Sequence, residues 1–93
     1  MADDIYTRNK DIVTRKIAGE LFVVPVRGKL ADMQRIFVLN TLGEFIWQQI
    51  GERKSLEDIR KDVVERFDVG EEIADSDIRE FIAGLLANGL IRE

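Results

Sequence analysis

The spacing of apolar residues changes once along this 93-residue chain, close to Asn40. Before Asn40, apolar side chains alternate or run together in short stretches rich in β-branched residues, which is typical of strands. After it, they recur at intervals of three and four residues, which is typical of amphipathic helices. A chain of this length has room for one domain with one core. The order therefore predicts an α+β domain in which helices cover a small sheet.

Three antiparallel strands are predicted in the first part of the chain. Alternation marks Ile12 to Ile17, and a nearly continuous apolar run marks Leu21 to Val26. Gly19 lies between them, where a tight turn requires a positive φ. A long hairpin loop over residues 27–34 then leads to a short third strand from Arg35 to Leu39.

Residues 1–10 show no periodic pattern, so we expect a flexible N-terminus followed by a single domain over residues 11–93. The first residues lack the basic and apolar segments of a secretory signal. No apolar run approaches the roughly 20 residues that span a bilayer. These features predict a cytoplasmic protein that makes no membrane contact.

Each of the three predicted helices has its own start signal. Asparagine and serine often cap helix N-termini, so Asn40 and Ser55 are predicted to cap the first two helices. Asp75 is taken as the first residue of the third helix. The acidic residues at positions 71 and 72 are assigned to a solvated loop. The second and third helices, with the strands as a wing, predict a winged helix-turn-helix arrangement. The predicted ranges are residues 40–51, 55–67 and 75–88.

The chain contains neither cysteine nor histidine. Disulfides, thiolate catalysis and iron–sulfur ligation are therefore excluded, together with the commonest general base and a His/Cys zinc site. The composition leaves carboxylates, lysines, two serines and one tyrosine for chemistry. We therefore expect a protein that is not an enzyme and that has no cofactor.

Charge is unevenly distributed between the two halves. Residues 1–40 carry a net charge of +2 and residues 41–93 carry −6. The predicted third helix has three acidic side chains and one basic side chain, Arg79, between Asp75 and Asn88. Because a recognition helix approaches phosphates, this negative helix argues against a winged-helix protein that binds DNA, and no nucleic-acid partner is expected.

Four stretches of the chain are similar, in order and separation, to one protein family. They are Asp11–Ile17 with Glu20, Val38-Leu39-Asn40 leading to Phe45-Ile46-Trp47, Ser55–Ile59, and the set Asp77-Ile78, Phe81-Ile82, Leu85-Leu86 and Gly89–Ile91. Together they resemble the PqqD-like proteins, and the resemblance covers about residues 11–92.

The resemblance implies a peptide-binding function. PqqD-like domains recognise the leader segment of a ribosomally made precursor peptide and present the rest of it to a modifying enzyme, often a radical SAM protein. The leader adds as an extra strand beside the third strand, in a cleft walled by the third helix. By this resemblance the contacting residues are Arg35, Ile36, Phe37, Val38 and Leu39 on the strand, and Ile78, Phe81, Ile82 and Leu85 on the helix.

The apolar pattern leaves two interpretations of these elements open. The apolar residues of the third helix span about 140°, more than the roughly 100° that one core face needs. Part of this stripe is predicted either to line a groove or to enlarge a small core. The third strand is apolar on both faces, so a docked peptide, a neighbouring strand or a dimer partner could cover it.

The alternative function is a structural subunit of a dimer or larger complex, which would use the same edge and groove. We expect a monomer or a weak homodimer. Trp47 lies off the centre of the first helix's stripe, and we assign it to the core in preference to a partner surface. Gly43 in that helix predicts a close backbone contact with a neighbouring helix.

Overall fold

The computed structural model of this protein describes residues 5–28 and 35–93. It confirms the α+β class, with a three-stranded antiparallel sheet followed by three helices. Most of the predicted loop over residues 27–34 lies outside the described residues. The strands are β1 (Thr7–Arg8), β2 (Ile12–Ile17), β3 (Glu20–Pro25), β4 (Phe37–Leu39) and β5 (Ile91–Arg92), and the helices are α1 (Thr41–Ile50), α2 (Leu56–Phe67) and α3 (Glu71–Ala87).

The main sheet has the strand order β2-β3-β4. Ala18 and Gly19 both have positive φ values, 53° and 84°, so β2 and β3 are joined by a two-residue turn. Register pairs Leu21 with Leu39 and Phe22 with Val38. Since side chains alternate between faces, Leu21 and Leu39 are buried beneath the helices while Val38 faces outward. β4 covers only Phe37–Leu39, so the third strand is shorter than the predicted range 35–39.

A second, two-stranded sheet joins the two ends of the described chain. Thr7 of β1 pairs with Arg92 of β5, and Tyr6 is buried in the core. The expectation of a flexible segment through residue 10 therefore differs from the structure, in which the folded unit includes residues before 11. Sequence periodicity missed this segment because main-chain pairing to β5 and one buried side chain hold it. Residues 1–4 lie outside the described residues.

The first two helices begin where the capping signals predict. Asn40 Oδ1 accepts a hydrogen bond from the Gly43 N–H at 2.8 Å, and Ser55 Oγ accepts one from the Asp58 N–H at 3.2 Å. These bonds satisfy donors that the first turn of a helix leaves without partners. α2 ends at Asp68, which adopts the left-handed conformation with φ 52°.

The third helix begins four residues earlier than predicted. Gly70 is its N-cap, and the acidic residues 71 and 72 form its first turn instead of a solvated loop. Carboxylates are favourable there because the N-terminus of a helix carries partial positive charge. Ala74 is already buried, so this first turn packs against the core. Three residues, not the predicted seven, therefore separate α2 from α3.

The core lies between the inner face of the main sheet and the three helices. Trp47 is 1 % exposed, which confirms its assignment to the core. Within residues 5–28 and 35–93, no helix combines the length and apolar character needed to cross a membrane. The core residues are Tyr6, Leu21, Val23, Leu39, Ile46, Trp47, Ile50, Ile59, Val63, Ala74, Ile78, Ile82, Leu85, Leu90 and Ile91.

Candidate functional site

Strand β4 is an edge strand. It pairs with β3 on one side, and no other described strand pairs with it on the opposite side. The side chain of Val38 in β4 is 50 % exposed, and that of Ile36, immediately before the strand, is 60 % exposed. An exposed apolar edge is a template for pairing with another chain, and natural proteins normally protect such edges.

A groove of about 680 Å³ lies between this edge and α3. The beginning of α1 contributes to the same groove through Leu42 and Gly43, because only Asn40 separates β4 from α1. The lining is mainly apolar with a few polar side chains, which is the usual character of a ligand site. The lining residues are Ile36, Phe37, Val38, Leu39, Asn40, Leu42, Gly43, Ile46, Asp77, Glu80, Phe81, Gly84, Leu85, Asn88 and Leu90.

The wall that α3 supplies is one continuous face of the helix. Asp77, Phe81, Leu85 and Asn88 are separated by four, four and three residues, so they lie above one another along the axis. From Asp77 to Asn88 this face is roughly 16 Å long at 1.5 Å per residue. The segment 35–39, which contains β4, is roughly 13 Å long if it is extended at about 3.3 Å per residue. The two walls therefore match in length.

Two observations show how β4 and α3 run relative to one another. At one end, Arg35 Nη1 donates to Asn88 Oδ1 at 3.3 Å. At the other, a Cβ built on Gly43 would lie 3.1 Å from Phe81 Cε1 and 3.4 Å from Leu39 Cβ. The strand therefore runs antiparallel to the helix. We call the two ends of the groove the Arg35 end and the Leu39 end.

The two glycines of the groove have different surroundings. Gly43 allows the start of α1 to approach Phe81 closely, which confirms the predicted contact with a neighbouring helix. Gly84 is in the middle of α3, and a Cβ there would meet no described atom within 4 Å. Glycine inside a helix costs about 1 kcal/mol relative to alanine, and no described contact offsets this cost at Gly84. The groove is open above it.

Among the described residues that line the groove, the only charged ones are acidic, and they lie toward the Leu39 end. Asp77 and Glu80 are exposed, and neither forms an ion pair with a described residue. The nearby Arg79 is engaged elsewhere, with its Nε 2.8 Å from Asp75 Oδ2. That hydrogen bond raises the pKa of Arg79 above its ordinary value.

The predicted contact residues are only partly brought together in the groove. Arg35 lies at its end, and Ile78 and Ile82 do not line it. Ile78 and Ile82 are instead buried in the core, near the centre of the broad apolar stripe of α3, whereas Phe81 lies at the edge of that stripe. Six predicted residues do line the groove, namely Ile36, Phe37, Val38, Leu39, Phe81 and Leu85.

Sequence reasoning missed the polar and small residues of the site. Helical spacing from Phe81 would have indicated Asp77, Gly84 and Asn88, since they lie three to seven residues away on the same face. The contributions of α1 could not be found in this way, because they depend on how α1 packs against β4. No group of three or more potential metal-binding side chains occurs among the described residues.

A family model described as "Coenzyme PQQ synthesis protein D (PqqD)" matches residues 20–91 of the chain. This protein belongs to the PqqD family. The matched region begins at β3 and ends in β5, so it contains both walls of the groove. None of the curated proteins matches the sequence.

Two solved structures have the same fold as this PqqD-family chain. One is TbiB1 in complex with the TbiA(beta) leader peptide, at 21 % identity, with a TM-score of 0.78 over 92 % of this chain and 94 % of that one. The other is lasso peptide synthetase B1 complexed with the leader peptide, at 17 % identity, with a TM-score of 0.82 over 97 % of this chain and 100 % of that one.

Proposed function

We propose that this PqqD-family protein binds the leader segment of a ribosomally made precursor peptide and presents the precursor to a modifying enzyme. The leader is bound as an additional strand beside β4, between Arg35–Leu39 and the Phe81–Leu85 part of α3. The protein itself is non-catalytic in this proposal and acts in the cytoplasm, where a ribosomal product first becomes available.

One observation carries the proposal: the unpaired edge of β4 faces a groove whose far wall is α3. Paired strands lie about 4.8 Å apart, so a peptide added to this edge falls within the groove. Main-chain hydrogen bonds to the edge then supply affinity for many sequences. Side chains at alternate positions of the peptide enter the groove and supply specificity.

The structural neighbours support this choice of ligand. Both are described as complexes with a leader peptide, and both share the fold over more than nine tenths of each chain. Because strand addition forms only non-covalent contacts, capture needs no catalytic group in this chain. The modifying enzyme, of the radical SAM class by family resemblance, supplies the reaction.

The alternatives have weaker support from the geometry. α3 contains five carboxylates and one arginine over Glu71–Ala87, so as a recognition helix it would repel the phosphates of DNA. A purely structural role in a dimer would use the same edge of β4, with a second copy as the added strand. A molar mass that stays monomeric at high concentration would remove that possibility.

Solution NMR is the direct test of the proposal. The ¹⁵N-labelled chain is titrated with synthetic peptides that correspond to short open reading frames encoded next to its gene. We expect the largest shift changes at Arg35–Leu39, Phe81 and Leu85, with a scrambled peptide as control. A folded chain that shows no change there with any neighbouring peptide would contradict the proposal.

An N-methyl scan of a binding peptide tests strand addition itself. In an antiparallel pair, neighbouring residues direct their N–H groups alternately toward and away from the partner strand. Methylation of one backbone nitrogen at a time should therefore weaken binding at every second position and leave the intervening positions nearly unchanged. Uniform sensitivity, or none, would show that the peptide binds in another conformation.

A further inference from the structure

The Leu39 end of the groove has an unbalanced charge. Asp77 and Glu80 lie three residues apart on α3, so their Cβ atoms are about 5–6 Å apart and the carboxylates repel each other. The nearest arginine along the helix, Arg79, is held by Asp75. The ion pairs of the described residues leave both groove carboxylates without a cation.

The charge of the described side chains at the Arg35 end is positive. Arg35 hydrogen-bonds to Asn88 and its guanidinium lies 5.7 Å from the ring centroid of Phe37, so the one described basic group beside the groove is held at this end. The groove is therefore negative at one end and positive at the other. The two ends are roughly 13–16 Å apart, by the lengths of strand and helix that separate them.

We infer that the captured peptide carries a lysine or arginine that lies between Asp77 and Glu80, next to the apolar residues that enter the groove. This inference rests on the proposed function and specifies the chemistry of its ligand. One cation at this position contacts both carboxylates, because their spacing on the helix is within reach of a single ammonium or guanidinium group. It also removes the repulsion between them.

The charge pattern also selects against a class of peptides. An acidic segment placed at the Leu39 end would bring a third carboxylate beside two that have no counter-ion. Since these groups are exposed, the discrimination is modest for each pair and weakens with salt. Each exposed ion pair changes affinity by up to about fivefold, so two of them together change it by up to about 25-fold at low ionic strength.

A display selection tests the inference without a known ligand. A random dodecapeptide phage library is selected, at about 20 mM salt, against the full chain and against a variant with Asp77→Lys and Glu80→Lys. The control variant carries Glu65→Lys and Glu93→Lys, which change net charge equally at exposed positions outside the groove lining. Circular dichroism establishes that all three proteins are folded.

We expect lysine or arginine to be enriched at one position of the peptides selected by the wild type and by the control. The groove variant should instead select aspartate or glutamate at that position. Synthetic wild-type-selected peptides should bind the groove variant about tenfold more weakly by fluorescence anisotropy. A variant with Asp77→Asn and Glu80→Gln should give an intermediate loss.

Two outcomes would contradict the inference, and they differ in what they imply for the proposed function. Selected peptides that bind the β4 edge by NMR, yet show no basic position and equal affinity for all variants, would overturn the inference and leave the proposed function intact. Failure of all three folded proteins to enrich any peptide at that edge would count against peptide capture itself, and the inference would fall with it.

Discussion

The Arg8 guanidinium in β1 binds the carbonyl oxygen of Trp47 in α1, with hydrogen bonds of 3.2 Å from Nε and 2.7 Å from Nη2. It also lies 5.0 Å from the centroid of the Trp47 ring. α1 has no basic residue in its own last turn, so Arg8 supplies the positive charge that the C-terminus of this helix favours. Burial lowers the pKa of Arg8, against the opposing effect of Glu52, but an arginine remains charged.

We expect Arg8→Ala to lower the free energy of unfolding by about 2 kcal/mol. The substitution removes two charge-assisted hydrogen bonds and a cation–π contact, and it leaves the Trp47 carbonyl without this donor. Urea denaturation measures the loss. Arg15→Ala is the matched control, because Arg15 is exposed on β2 and its removal should change stability by less than about 0.5 kcal/mol. Equal losses in the two variants would contradict the structural role of Arg8.

Gly51 leaves space that the Arg8 guanidinium occupies. A Cβ at Gly51 would lie 2.7 Å from Arg8 Cζ, whereas its φ of −70° is accessible to any residue. We therefore expect Gly51→Ala to destabilise the wild type by displacing the guanidinium. In the Arg8→Ala background the same change should be neutral or slightly stabilising. A double-mutant cycle by urea denaturation measures this coupling, and additive effects would show that the two residues act independently.

Gly43 should be coupled to Phe81 across the groove. A methyl group at Gly43 would be 3.1 Å from the Phe81 ring, so Gly43→Ala should move that ring within the groove. We expect weaker peptide binding, with a small change in stability because the better helix propensity of alanine offsets part of the strain. Replacing Phe81 by leucine in the same chain should relieve the contact. Unchanged Phe81 ring resonances in Gly43→Ala would contradict this expectation.

Gly84→Ala should change stability and affinity in opposite directions. Alanine improves helix propensity by about 0.5–1 kcal/mol, and its Cβ meets no described atom within 4 Å. The same methyl group occupies space in the groove, so peptide affinity should fall severalfold. Thermal denaturation and fluorescence anisotropy measure the two effects. The control is the reverse exchange at the neighbouring position, Ala83→Gly. It should destabilise the helix without changing peptide affinity, because Ala83 lies outside the groove lining.

Val38→Pro tests whether the edge of β4 provides a main-chain donor. Proline is tolerated on the outward side of an edge strand, where it removes an N–H that a bound peptide would use. If the Val38 N–H faces the groove, the variant should stay folded and bind peptide at least severalfold more weakly. Phe37→Pro should then disrupt pairing with β3 and lower stability. A folded Val38→Pro variant with unchanged affinity would count against binding through this N–H.

The sequence was most informative where a local chemical signal is sufficient. Asn40 and Ser55 begin their helices because a side-chain oxygen satisfies donors a few residues away, and that interaction needs no tertiary contact. The start of α3 was mispredicted because Gly70 provides no side-chain cap. The acidic first turn and the burial of Ala74 replace that signal, and burial depends on the surrounding fold.

The candidate strand and helix of the site come from the resemblance to the PqqD-like family, whereas the sequence by itself determined the fold class and two of the three helix starts. Local hydrogen bonds and hydrophobic periodicity encode these features, and both act over short separations in the chain. Tertiary structure decided which part of the α3 stripe is core, since Ile78 and Ile82 are buried while Phe81 and Gly84 line the groove. It also brought Arg8 to Trp47, 39 residues apart, because hydrogen bonds between distant segments leave no periodic trace in a sequence.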